Sequence, residues 1–180
     1  MVTLQEQFEK DFPDKSVREI RAYDKYEGSN FTNYDLDLRE YTNLEILCFG
    51  DNKLTSIYLV QHEKNSICID LSVNNLTSID LSRCNNIKNL TIYDNKIQPT
   101  DIAIFSNFVN LVYLRIGTTS TGIIKGKHNK FYGSLKSYQN LTKLRTICIE
   151  ATDVNEGLEY LPENLTLVKS DKNIFQNRGD

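Results

Sequence analysis

The sequence has no long hydrophobic stretch and no recognisable secretory start. None of its apolar runs approaches the roughly eighteen residues that a membrane-spanning helix needs, so we expect no membrane association. The first residues, MVTLQEQFEKDFP, lack the charged segment followed by an apolar core that marks a signal peptide. Both absences favour a cytoplasmic protein.

Residues typical of disulfide frameworks, metal sites and catalysis are scarce. The sequence has two histidines, His62 and His128, and neither has cysteine or carboxylate neighbours at the spacing of metal ligands. The G-x-S-x-G motif of serine hydrolases is absent. Four cysteines fall at irregular spacing, which favours reduced thiols over a disulfide framework: Cys48, Cys68, Cys84 and Cys148. We therefore expect no catalytic residue, no metal and no cofactor, and hence a protein that is not an enzyme.

The chain also lacks an excess of positive charge. Its 24 acidic and 21 basic side chains give a net charge of -3, whereas nucleic-acid binding favours a basic patch or stripe. Hydrophobic residues at 39% and charged residues at 25% are typical of a folded globular domain. Since the length suits one domain, residues 1–180 are predicted to form a single domain whose partner is not nucleic acid.

What the sequence does contain is an internal repeat of the form L-x-x-L-x-L-x-x-N-x-L. One unit matches at every key position: Leu44, Leu47, Phe49, Asn52, Leu54 and Ile57. The next two units begin at positions 66 and 87, which gives spacings of 22 and 21 residues. Further units begin at positions 17, 111, 144 and 165. Residues 17–170 are therefore predicted to form about seven repeats.

The unit that begins at Leu111 is longer than the others, because the next unit starts 33 residues later. The asparagine of the repeat pattern would fall at position 119, where the sequence has threonine. The pattern resumes ten residues further on with Asn129, followed by Phe131 and Leu135. Residues 118–127 are therefore predicted to be an insertion between the strand and the asparagine turn.

The spacing within each unit predicts one short strand with apolar side chains at positions 4 and 6 directed into a shared core. The asparagine at position 9 can satisfy buried backbone groups at the following bend. The predicted fold is an α/β solenoid, a leucine-rich-repeat right-handed superhelix with a short parallel strand per repeat and irregular or short helical convex segments. The asparagines predicted to form a structural ladder are Asn52, Asn74, Asn95 and Asn129, with Thr119 as the alternative to the last.

The two ends of the chain are expected to cover the repeats. Residues 1–16 are predicted to form an N-terminal cap, because Thr3 is a possible helix N-cap, Leu4 and Phe8 have helical spacing, and Pro13 ends the helix. Residues 171–180 form a predicted tail in which only Ile174 and Phe175 could cover the last repeat.

Three stretches resemble a known group of proteins: TNLEILCFGDNKLTSI, SVNNLTSIDLSRCNNIKNL and NKFYGSLKSYQNLTKLRTICIEATDVNEGLEYLPENL. They are similar to the short leucine-rich-repeat (L domain-like) proteins of arbuscular mycorrhizal fungi. The resemblance covers about residues 4–170 and is most specific over residues 95–165. It implies an intracellular interaction or sensing module. The stretch YDKYEGSNFTNYD departs from the family pattern, since it is irregular.

Some members of that group carry a kinase-like domain elsewhere in the chain. This sequence has no glycine-rich phosphate loop, no H-R-D and no D-F-G motif. The resemblance therefore leaves an alternative function, that of an N-terminal sensing or regulatory segment of a kinase-like signalling polypeptide. A secreted ligand-binding domain is a further alternative, because five Asn-x-Ser/Thr tripeptides occur; four of them are Asn-Leu-Thr, which this repeat produces by chance.

Side chains at positions 3, 5 and 7 of each repeat are predicted to project onto the concave face. Tyrosine and arginine are enriched at interface hot spots, and the insertion with its flank is basic and partly aromatic. We predict a monomer that binds a protein partner through the following residues: Asp70, Tyr93, Tyr113, Arg115, Lys125, Lys127, His128, Lys130 and Tyr132. The alternatives are that the strand residues are merely tolerated on the surface and that the insertion is a flexible hydrophilic excursion.

Overall fold

The computed structural model describes residues 2–59 and 67–169, with the side chains of 167–169 left out. The predicted tail, 171–180, and His62 lie outside the described residues. Within them no helix has the length and apolar character to cross a bilayer. In chain order the described elements are α1 (Leu4–Asp11), β1 (Glu19–Arg21), β2 (Asp35–Asp37), β3 (Ile46–Cys48), β4 (Ser56–Tyr58), β5 (Ile67–Asp70), β6 (Ile87–Thr91), β7 (Thr100–Asp101), β8 (Tyr113–Arg115), α2 (Ser120–Ile124), β9 (Phe131–Ser134), β10 (Thr146–Cys148), β11 (Asp153–Glu156) and β12 (Leu167–Lys169), with 3-10 helices at Ile102–Phe105, Leu135–Tyr138 and Leu158–Tyr160.

The largest element is a seven-stranded parallel sheet in the order β1-β3-β5-β6-β8-β10-β12. Each of the seven units predicted from the sequence contributes one of its strands. The strands are aligned so that their central apolar residues lie side by side across the sheet: Ile20, Leu47, Ile69, Leu90, Leu114, Ile147 and Val168. The prediction of an α/β fold with parallel strands is confirmed.

Two smaller parallel sheets lie in the segments between the main strands, where irregular or short helical structure was predicted. One has the order β11-β9-β7 and the other pairs β2 with β4. The three 3-10 helices fit the prediction, but the five short strands do not. In the pair of β2 and β4, Leu36 lies opposite Ile57, and both side chains are buried in the same core as the main sheet. A two- to four-residue strand carries too little periodicity to be distinguished from a loop in the sequence.

The asparagines at position 9 are fully buried and bond each unit to the one before it. In Asn52, Asn74, Asn95 and Asn129, the side-chain nitrogen donates at 2.6–2.9 Å to the carbonyl at position 6 of the preceding unit. In the same order, these carbonyls belong to Ala22, Phe49, Leu71 and Ile92. The side-chain oxygen accepts at 2.7–3.2 Å from a backbone N–H of that same preceding unit: Tyr26, Leu54, Leu76 and Ile97. Asn129, rather than Thr119, therefore takes the position in the long unit.

Helix α1 covers the first units. A capping box begins it, because the Glu6 N–H donates to Thr3 Oγ1 at 3.1 Å and the Thr3 N–H donates to Glu6 Oε2 at 2.8 Å. Leu4 and Phe8 are buried against the core. The Gln5 amide bonds both backbone groups of Asp37, at 3.2 Å and 2.7 Å. A side chain thus takes the place of a neighbouring strand beside β2 and satisfies its edge.

Replacing Asn74 with alanine is expected to lower the free energy of unfolding by about 1–3 kcal/mol, because buried backbone groups of two units lose their partners. Urea denaturation of the two proteins measures this difference. Asn75→Ala is the matched control, since the Asn75 amide is partly buried and makes one long bond, 3.4 Å, to the Lys53 carbonyl. Equal losses of unfolding free energy in the two variants would show that the asparagine at position 9 has no special structural role.

Candidate functional site

The outer face of the main sheet, which we call the strand face, carries the side chains of positions 3, 5 and 7. The hydrogen-bonded ladder continues past the strands, since Asp51, Val73 and Asp94 each donate a backbone N–H to the position-7 carbonyl of the next unit at 2.9–3.3 Å. The position-7 residues therefore lie in a row at the strand ends: Tyr23, Gly50, Ser72, Tyr93, Gly117 and Glu150. Neighbours in such a row are about 4.8 Å apart.

A cluster of two tyrosines and one arginine, the tyrosine–arginine cluster, lies on β8 and the turn after β6. The guanidinium carbon of Arg115 is 3.8 Å from the centroid of the Tyr93 ring, which is cation–π geometry. Tyr113 lies two residues before Arg115 on the same face of β8. Burial raises the pKa of the Tyr113 hydroxyl, and the nearby Arg115 guanidinium opposes that rise. All three side chains are half-buried, so the cluster is ordered yet accessible.

Tyr23 belongs to the same row, although it was not among the residues predicted to bind a partner. Its ring lies over Gly50, because a Cβ at Gly50 would be 2.7 Å from the ring edge. Burial raises the pKa of the Tyr23 hydroxyl, and the neighbouring Tyr93 and Asp51 add to the rise. In the sequence, the signal was a tyrosine and a glycine at position 7 of consecutive units. Only the strand order shows that these two residues lie side by side.

The insertion folds into helix α2 and lies against the row. Thr119 is its N-cap and accepts from the Gly122 N–H at 3.0 Å. The carboxylate of Asp94, which is only 5% exposed, accepts from both the backbone N–H and the hydroxyl of Thr119 at 2.6 Å. Gly122 lies directly over this carboxylate, since an added Cβ would be 2.1 Å from Asp94 Oδ1. Asp94 therefore ties the insertion to the end of β6.

Two basic side chains of the insertion contact the backbone of neighbouring units. The Lys127 ammonium donates to the Val73 carbonyl at 2.7 Å. Burial lowers the pKa of Lys127, and nearby Lys125 and Lys96 add to the decrease while Asp51 and Asp94 oppose it. His128 Nε2 lies 3.0 Å from the Ala151 carbonyl oxygen. The two side chains thus reach the units on opposite sides of the insertion.

The structure separates the predicted partner-binding residues into two groups. Tyr93, Tyr113, Arg115, Asp70 and Lys127 lie on the strand face or at its rim, with Lys125 exposed near Lys127. In this group the Asp70 carboxylate accepts from the N–H and hydroxyl of Ser72 at 3.0 Å and 2.6 Å.

The second group follows Lys127 in the chain, and most of it lies away from the strand face. Tyr132 belongs to β9, between β7 and β11 in the three-stranded sheet. The Lys130 backbone bonds to Ile97 and Thr100, next to that sheet. His128 instead stays at the rim of the strand face, because its Nε2 lies 3.0 Å from the carbonyl oxygen of Ala151, the residue after Glu150 in the position-7 row. Sequence proximity suggested one patch over 118–132, but the chain changes sheets after Asn129, so Lys130 and Tyr132 leave the strand face.

Three carboxylates form an acidic patch at the other end of the row: Asp24, Glu27 and Asp51, with oxygen atoms within 4.8 Å of one another. Oxygen ligands of this kind suit hard cations such as Ca²⁺. Two of the three are exposed and the third is half-buried, so we assign no metal to them. The patch does make the β1–β3 end of the strand face negatively charged.

Comparison with known proteins does not add a functional assignment. The sequence matches no protein-family model, and no curated protein matches it at a significant level. The function therefore has to follow from the chemistry of the surface itself.

Replacing Gly122 with alanine is expected to loosen the insertion, although alanine favours a helix over glycine by about 1 kcal/mol. The added Cβ would collide with the Asp94 carboxylate and displace Thr119 from it. Faster hydrogen exchange of the α2 amides, together with a lower urea midpoint, measures the effect. Gly28→Ala is the control, because a Cβ there meets nothing within 4 Å. Slower exchange in Gly122→Ala would contradict the contact.

Proposed function

We propose that the chain is a leucine-rich-repeat solenoid of about seven repeats, wound as a right-handed superhelix, and that it is a non-enzymatic module that binds a protein partner. Support for the fold comes from the unit spacing of 21 and 22 residues, the seven parallel strands in register and the asparagine ladder. The binding surface consists of the strand face together with helix α2.

The single observation that carries the proposal is the tyrosine–arginine cluster on the strand face. Tyrosine and arginine provide much of the binding energy in protein interfaces, particularly when they are ordered before the partner arrives. Here the stacking of Arg115 on Tyr93 at 3.8 Å orders both side chains. The other cation–π contacts of the described residues are longer, at 4.5–5.6 Å.

Helix α2 adds apolar area at the edge of that face. Ile124 is 87% exposed and its neighbour Ile123 is 52% exposed, on a helix that the Asp94 contact holds against the rim. Seven short strands alone offer on the order of 400 Å², about half of what each partner buries in a standard interface. The insertion supplies further surface, and its isoleucines are the side chains that a partner would cover.

The cellular setting that we propose is the cytoplasm, with the protein as a monomer in the absence of its partner. The four cysteines, all within the described residues, are thiols and not disulfides, which suits a reducing compartment. Cys48 and Cys68 are half-buried on the strand face, where oxidation would alter the binding surface.

Capture of partners from an extract of the source cells tests the proposal, with the tagged protein as bait and quantitative mass spectrometry as the readout. The double substitution Tyr93→Ala/Tyr113→Ala is expected to abolish specific capture, since each interface tyrosine contributes about 1 kcal/mol or more. Removal of residues 118–127 is expected to weaken capture as well, because the apolar area of α2 is lost.

The matched control is Tyr58→Ala/Tyr160→Ala, which removes two exposed tyrosines outside the strand face. Each of these also lies beside a cation, Arg39 at 5.6 Å and Lys136 at 5.1 Å. This control should capture the same proteins as the unmodified chain. Recovery of identical proteins with the strand-face variant would overturn the proposed binding surface.

A further inference from the structure

The strand face contains cations that have no acidic partner. In the described chain, ion pairs engage Lys15, Arg18, Arg21, Lys25 and Arg39, of which Arg21 also lies on the strand face. Within residues 2–59 and 67–169, Arg115, Lys125 and Lys127 are among the cations that have no carboxylate at ion-pair distance. All three lie on the strand face or on the insertion beside it.

Arg115 is held in a conformation suited to binding an anion. Its guanidinium stacks with one face on the Tyr93 ring at 3.8 Å. The N–H donors at the edge of a guanidinium can bind a planar oxyanion with two parallel hydrogen bonds. The Tyr113 hydroxyl lies near the same group. Because the side chain is already ordered, binding an anion would require little further loss of entropy.

A second cation lies on the opposite side of Tyr93. The Val73 N–H donates to the Tyr93 carbonyl at 2.9 Å, and the Lys127 ammonium donates to the Val73 carbonyl at 2.7 Å. In the strand order β5-β6-β8, Val73 follows β5 and Arg115 belongs to β8. The two cations therefore lie on either side of Tyr93.

The acidic groups near Lys127 are Asp51 and Asp94, and the Asp70 carboxylate on β5 accepts two hydrogen bonds from Ser72. The Asp94 carboxylate is almost buried and accepts two hydrogen bonds from Thr119. The acidic patch of Asp24, Glu27 and Asp51 lies at the β1–β3 end of the row. The strand face is thus positively charged at β6–β8 and negatively charged at β1–β3. A carboxylate of a partner is attracted to the first region and repelled from the second.

We propose that the protein partner presents an acidic segment, and that carboxylate side chains of this segment bind Arg115 and Lys127 on either side of Tyr93. This inference rests on the proposed function and specifies the chemistry of the partner. Arg115 forms the two-bond contact, Lys127 adds a point charge, and the tyrosine rings pack against the aliphatic parts of the segment.

Titration of the isotope-labelled full chain, followed by NMR, tests this inference with defined probes. The probes are a glutamate-rich Gly/Ser peptide, the same peptide with glutamine in place of glutamate, and the same peptide with lysine. We expect the glutamate peptide alone to shift the Arg115 side-chain Nε–Hε signal and the amides around Tyr93. Arg115→Gln should weaken its binding about tenfold or more, as loss of a charged hydrogen bond implies.

The matched control for charge is Arg83→Gln, because Arg83 is exposed in the segment between β5 and β6 and away from the strand face. It should leave the affinity unchanged within about twofold. Dispersion of the backbone spectrum verifies that each variant is folded. Equal weakening by both substitutions, binding of the glutamine peptide, or shifts around Tyr93 with the lysine peptide alone would each overturn the inference.

Partner capture distinguishes failure of this inference from failure of the proposed function. If Tyr93→Ala/Tyr113→Ala loses the partner while Arg115→Gln retains it, the strand face binds a protein but not through an acidic segment. If all variants retain the partner, the strand face is not the binding surface, and the proposed function fails with the inference.

Discussion

The buried asparagine amides are the interaction on which the rest of the structure depends. Where the chain bends after β1, β3, β5 and β6, backbone groups become buried without a strand to pair with. An unpaired group of this kind costs about 1–3 kcal/mol. An amide side chain offers two donors and an acceptor. Each asparagine, such as Asn74, bonds the Phe49 carbonyl and the Leu54 N–H of the preceding unit. One side chain thus satisfies the bend and joins two units.

This constraint also decides where the chain can accept additional residues. The insertion leaves after Gly117 and returns at Asn129, whose N–H donates to the Thr118 hydroxyl at 3.1 Å. The strand before it and the asparagine after it keep their places, so the ten additional residues extend from the rim of the sheet. There Asp94, the residue after Tyr93, binds Thr119 and holds α2 beside the tyrosine–arginine cluster. The hydrogen-bonded units thereby position helix α2.

Charge is distributed unevenly along the strand face, with acidic and basic side chains at different places. The carboxylates of Asp24 and Asp51 lie at one end of the position-7 row, and Arg115 and Lys127 lie near its centre. A partner that contacts the whole face meets opposite charges at the two places, which favours one orientation over the reverse. The ring of Tyr23, at the acidic end, and the ring of Tyr93, between the two cations, offer contact area that does not depend on ionic strength.

The sequence by itself determined the positions of the seven main strands, the asparagines and the insertion, because these follow from a local period that repeats along the chain. Only the tertiary structure decided what the period does not encode. The strands β2, β4, β7, β9 and β11 are too short to show a pattern. The stacking of Arg115 on Tyr93 and the contact of Asp94 with Gly122 join residues from different units. Lys130 and Tyr132, adjacent to the insertion in sequence, were separated from the strand face because the chain enters another sheet after Asn129. Side-chain contacts between units depend on strand order and register, which adjacency in sequence does not reveal.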